Sequence, residues 1–132
     1  MTRTVTIFKE IQTITEPFYR PVEFILNRIK EGASSELVKS IRKETDKEKR
    51  NELKKRLPSI VFQGKFSKRS DVALMESSGL MILDFDGYTK KKDLMSDKAK
   101  FSKNKYVYSV FISPSGRGLK VLIKVPQDPD NY

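Results

Sequence analysis

The chain contains no cysteine and no histidine. The first absence excludes disulfides, zinc ribbons and thiol catalysis. The second excludes Ser-His-Asp triads, His-ligated metals and the paired-histidine nicking chemistry of rolling-circle replication. A metal held here by side chains would meet mostly oxygen, which suits Mg²⁺ or Mn²⁺. The opening "MTRTVTIFKEIQ" lacks an apolar run long enough for a signal peptide or a membrane span, so a soluble intracellular protein is expected. There is also no internal repeat and no low-complexity linker.

Positive charge is abundant. Lys and Arg number 27 against 17 Asp and Glu, a net charge of +10. Such a balance favours an anionic partner, with nucleic acid or nucleotides first and an anionic membrane surface as the competitor. At 132 residues and 37% hydrophobic content, one domain over 1–132 with a lean core is expected.

Residues 1–58 read as a basic β-α-α region. "TVTIF" is a short β-branched strand. In "RPVEFILNRIKEG", Val22, Ile25, Leu26 and Ile29 form one helical stripe, with Pro21 suited to the first turn and Gly32 to the stop. Ser34 or Ser35 can cap a second helix with Leu37, Val38 and Ile41 on its inner face. From Arg42 to Glu52 no apolar residue occurs, so this is a solvated helix, in one piece or two, that ends before Pro58. Between Lys39 and Arg56 there are nine basic and four acidic residues. The run is either a solvated face or a patch for nucleic-acid backbone.

Residues 59–132 read as a sheet. "SIVFQGKF" suggests a strand running into Gly64, and "DVALMESSG" is either a strand or a short helix. "GLMILDFDGY" is a strand buried on both faces at its start, "TKKKDLMSDKAKF" a short polar helix, and "YVYSVFIS" and "LKVLIKV" two further strands. The fold class is therefore α+β, with an antiparallel or mixed sheet under covering helices.

Two stretches carry chemistry. Asp84 and Asp86 lie two apart at the end of an apolar strand and so share a face, while Phe85 points the other way into core. Neighbouring carboxylates repel, and a divalent cation between them removes the conflict while leaving positions for phosphate oxygens. The alternative is a plain turn at Asp86-Gly87. The second stretch is "SPSGRGLK". Gly116 and Gly118 allow close backbone approach and positive φ, the amides could form an anion-holding nest, and Ser113 and Ser115 add hydroxyls. Arg117 and Lys120 supply charge for a phosphate. The alternative is a hairpin turn with incidental cations. No Walker A pattern is present. Together the stretches form the two halves of a metal–triphosphate site.

These motifs resemble the archaeo-eukaryotic primase (primase-polymerase) superfamily, in particular the domains of bacterial mobile elements and phages called virulence-protein E N-terminal. The opening "VTIF", the "LPSIVFQGKF" stretch, the acidic pair in "LDFD" and the "SPSGRGLK" motif occur in the family's order and cover almost the whole chain. The resemblance implies an RRM-like catalytic sheet, incomplete at its C-terminal end, in the cytoplasm of a bacterial host cell. It implies Asp84 and Asp86 as catalytic metal ligands for Mg²⁺ or Mn²⁺. Ser115, Gly116, Gly118 and Lys120 would contact a nucleoside triphosphate, with Lys120 where the family usually has histidine. Lys65, Lys68 and Arg69 would meet single-stranded DNA or RNA template or the incoming nucleotide. Templated synthesis in DNA replication, often beside a helicase, is the activity implied. The family's third acid lies on a later strand; Asp128 and Asp130 flank Pro129 too soon after the last strand to match it. Two other classes compete: a non-catalytic nucleic-acid-binding module, and a truncated decoy of a replication enzyme. Self-association through an open sheet edge is expected to be feasible.

Overall fold

A computed structural model describes residues 3–9, 17–68 and 73–125. The elements are β1 (Thr4–Phe8), β2 (Phe18–Pro21), α1 (Val22–Glu31), α2 (Ser35–Lys43), α3 (Lys47–Lys54), β3 (Ser59–Val61), β4 (Gly64–Phe66), β5 (Leu74–Ser77), β6 (Leu80–Phe85), α4 (Lys91–Ser102), β7 (Val107–Ile112) and β8 (Leu119–Lys124). The class is α+β, and every strand pair is antiparallel.

The strands form three small sheets rather than one: β2-β1-β3, β4-β5 and β6-β8-β7. Two differences from the sequence reading produce this division. The expected strand "SIVFQGKF" breaks at Phe62 and Gln63, so that β3 pairs with β1 and β4 pairs with β5. An additional strand, β2, pairs with β1 and leads into α1; its sequence FYRP has no alternating pattern to reveal it. The ambiguous "DVALMESSG" contains strand β5.

Thr6 joins the first two sheets. Its side chain is fully buried; its hydroxyl donates to the Gly64 carbonyl at 2.7 Å and accepts from the Phe66 amide at 2.9 Å. The strand edge at β4 thus gains partners it would otherwise lack from β1.

The third sheet is packed on both faces, because its side chains alternate. Leu80 and Leu122 join Val5, Val22, Ile25 and Phe62 in one core, with Ile82 and Phe111 beside them. Leu119 and Val121 point the other way and pack under Leu94 of α4, with Phe101 alongside. Leu94 and Phe101 are seven residues apart, two helical turns, and so share a face. This burial is uneven on β6, an edge strand. Leu83 and Phe85 remain 36% and 37% exposed, so the start of β6 is core but its end is not. Phe85 does point away from the acids, yet it lies against Phe101 at 5.0 Å between ring centroids instead of entering the core.

Helix ends follow local chemistry in part. Gly32 stops α1 in the left-handed region with φ 73°. The basic run divides between α2 and α3, and the Asp46 side chain caps α3 by accepting from the Lys49 amide. Ser34 occupies the cap position of α2, but no side-chain cap bond forms there, contrary to the expected serine cap.

Replacing Thr6 by Val keeps the shape and removes both bonds. We expect urea denaturation of Thr6→Val to show a loss of about 1–3 kcal/mol. An unchanged midpoint would show that Thr6 does not join the sheets.

Candidate functional site

The two motifs meet because β6 pairs with β8. Asp84 lies in register with Lys120, and Lys120 faces Phe111 of β7 on its other side. The Lys120 ammonium donates to Asp84 Oδ1 at 2.8 Å. Both side chains are partly exposed, so the pair itself contributes at most about 1 kcal/mol.

Asp86 follows the last residue of β6 and lies over Gly118. A Cβ on Gly118 would stand 2.5 Å from Asp86 Oδ1, 2.9 Å from the Phe85 carbonyl oxygen and 3.1 Å from Ser113 Oγ. Glycine at 118 is therefore a requirement of close approach between the acidic strand end and the basic turn. Gly87 follows with φ 87°. No turn or bend forms at Asp86-Gly87, so the alternative of a plain turn there is not what the chain adopts.

The turn between β7 and β8 is tightly bonded to itself. The Ser113 amide donates to Gly118 O and the Gly116 amide to Ser113 O, each at 2.9 Å. Gly116 takes φ 78°. The hydroxyls of Ser113 and Ser115 lie 3.0 Å apart and pair, and the Arg117 amide donates to Ser115 Oγ. Amides that could have formed an anion nest at 113, 116 and 117 are thus engaged within the turn. Free charge near it comes from side chains instead.

Two residues outside the motifs hold this turn. Arg42 of α2 donates from Nη2 to Ser113 O at 3.2 Å and from Nε to Pro114 O at 3.3 Å. The Tyr88 amide donates to Arg117 O at 3.0 Å, and its hydroxyl donates to Asp97 Oδ2 at 2.7 Å. That bond to a carboxylate, with burial behind it, pushes the Tyr88 phenol up to about 12 and keeps it protonated. Sequence reading missed both roles. Arg42 sits in a run of charge that looks uniformly solvated, and its partner carbonyls are some seventy residues away.

Lys120 also lines a largely apolar cavity of about 570 Å³ between the third sheet and α1, α2 and β3; Ile82 and Phe111 form its sheet side, and Arg28 and Arg42 also line it. The remaining candidates lie elsewhere. Lys65 is on β4, over the Tyr19 ring at 5.0 Å and in a different sheet from Asp84, and Lys68 is exposed in the bend just beyond that strand. Arg69, Asp128 and Asp130 lie outside the described residues. Among the described residues no group of three or more Asp or Glu is placed to share a metal, so the acid pair stands as a pair. No helix among them is long and apolar enough to cross a membrane.

The family profile described as BT4734-like, N-terminal domain, matches residues 52–132, more than half of the chain. The chain belongs to this family. The match runs through β3 to β8 and includes both the acid pair and the glycine turn. No curated protein and no solved structure matches the chain.

The close approach at Gly118 predicts the cost of a methyl group there. Asp86 can swing aside, but the Phe85 carbonyl is backbone. Thermal unfolding of Gly118→Ala is expected to show a loss of about 1–3 kcal/mol, as overpacking does. Wild-type stability would mean that the strand end and the turn are not in contact.

Proposed function

We propose that the chain is a metal-dependent nucleotidyltransferase domain of primase-polymerase type, acting in replication of phage or mobile-element DNA. The observation that carries this reading is the 2.8 Å approach of Lys120 to Asp84, with Asp86 seated on Gly118 beside them. Acids and cations of opposite sign converge at one strand end, as a cation-bound polyphosphate requires.

The donor set suits a hard divalent ion. Mg²⁺ and Mn²⁺ are commonly held by one or two carboxylates together with substrate phosphates. Asp84 and Asp86 would be the protein ligands. Such an ion would supply neutralisation of phosphate charge and activation of the attacking oxygen. Lys120, a point charge on a flexible stem, would pair with a phosphate oxygen beside Asp84. Ser115, Gly116 and Gly118 shape the turn along which the triphosphate would run. The apolar cavity beside Lys120 falls within the size range of small-molecule sites and would take the base and sugar.

A second reading is a nucleic-acid-binding module without catalysis. It is favoured by α3, which buries no residue and carries Lys47, Lys49, Arg50 and Lys54.

Binding of a labelled nucleoside triphosphate in Mn²⁺ separates the two. Asp84→Ala is expected to keep its fold, with a stability loss below about 1 kcal/mol, because its ion pair is exposed. Its Mn²⁺-dependent nucleotide affinity should fall at least tenfold. Equal affinity in wild type and variant would remove the metal-bridged site.

A further inference from the structure

A second cleft, also about 570 Å³, lies on the other side of the glycine turn, between that turn and the start of α4. Four cations line it: Arg42, Lys90, Lys91 and Arg117, with Gly116 of the turn between them. Among the described residues no carboxylate lines it. The only ion pairs among the described residues are Lys39–Glu36, Lys55–Glu52 and Lys120–Asp84, so no described acid is paired with any of the four. All four side chains are exposed.

This arrangement has an electrostatic cost. Like charges gathered round one concave space repel, and the cleft's low-dielectric walls concentrate their field. Lys90 and Lys91 also stand at the first positions of a helix, where cations oppose the helix dipole. Packing does not demand lysine there, since the apolar anchors of α4 are Leu94, which forms part of the cleft floor, and Phe101. Arg42 is aimed at this space by its bonds to Ser113 O and Pro114 O, and it also lines the cavity that contains Lys120. The cleft is rigid on one wall, because Tyr88 ties α4 to the turn through Asp97 and Arg117 O.

We propose that this cleft binds consecutive phosphates of a single nucleic-acid strand. The choice of a strand over a free nucleotide rests on the polymerase-type reading of the acid pair, since such a site needs a template beside it. The concave shape admits one sugar-phosphate backbone along the four cations, and the turn separates that backbone from the acids. The four cations here, in place of Lys65 and Lys68, would be the principal contacts to the strand.

Counterion release makes the proposal quantitative. Each phosphate neutralised on a single strand steepens the dependence of log affinity on log salt by about 0.7, so four cations contribute a slope of about −2.8. The test is fluorescence anisotropy of a labelled single-stranded oligothymidylate with the full chain, titrated over salt in EDTA. Lys90→Gln with Lys91→Gln should make the slope shallower by about 1.4 and weaken binding at low salt. Lys47→Gln with Lys49→Gln on α3 removes the same charge elsewhere and should leave the slope within a few tenths of wild type. Arg117→Gln provides an independent variant, expected to reduce the slope by about 0.7. The proposal is overturned if the α3 pair changes the slope as much as the cleft pair, or if the cleft pair changes nothing. It is overturned as well if the cleft pair abolishes Mn²⁺-dependent triphosphate binding while oligothymidylate binding persists, which would assign the cleft to the free nucleotide. Because the titration contains no metal, its outcome does not depend on Asp84, and failure of the metal site would leave this result readable on its own.

Discussion

The register between β6 and β8 decides what Asp84 meets. Six pairs align from Leu80 opposite Lys124 to Phe85 opposite Leu119. A slip of one residue would exchange the two faces of β6, carrying Asp84 toward α4 and Leu83 toward α1. The register is set by apolar burial rather than by charge. Leu80 and Leu122 must face one core, and Leu119 and Val121 the other. Each such side chain contributes about 1.5–3 kcal/mol when fully buried. The exposed Asp84–Lys120 pair contributes at most about 1 kcal/mol. The meeting of acid and cation is therefore a consequence of packing, and the pair remains free to exchange partners without endangering the fold.

The turn after β7 is positioned with more constraint than a connecting hairpin needs. It is bonded to itself, clasped by Arg42 from α2, tied to Tyr88, and pressed against Asp86 at Gly118. Two separate parts of the chain, α2 and the segment just after β6, thus converge on six residues. Binding sites benefit from such rigidity, because less ordering is required when a ligand arrives. The same turn divides two spaces of different character. One is apolar and contains Lys120; the other is cationic and contains Arg117. Under the proposed reading, this division would give a nucleotide and a strand separate places on either side of one backbone segment.

Periodicity located α1 and the strands β1, β6, β7 and β8, because each has a clean helical stripe or a β-branched run. The two-residue spacing of Asp84 and Asp86 and the glycines of the turn were likewise legible, since those patterns are local. Their closeness in space is a matter of pairing, and it could be expected only by taking the two stretches as halves of one site. What stayed hidden was non-local. The break at Phe62 depends on two different strands, β1 and β5, competing for what reads as one segment. β2 has no pattern of its own and exists because β1 offers it an edge. Arg42 lies among charges that look equivalent until tertiary structure selects one. The serine hydroxyls at 113 and 115 read as ligand donors, yet their small size lets them bond each other across the turn.

The most direct measurement of the central claim is paramagnetic broadening of backbone amide resonances by Mn²⁺ in the presence of a nucleoside triphosphate. One ion shared between the acid pair and a phosphate beside the turn should broaden residues 84–86 and 116–120 together, at substoichiometric metal. Broadening of the acidic strand end with the turn unaffected, or of neither, would contradict a single site built from both.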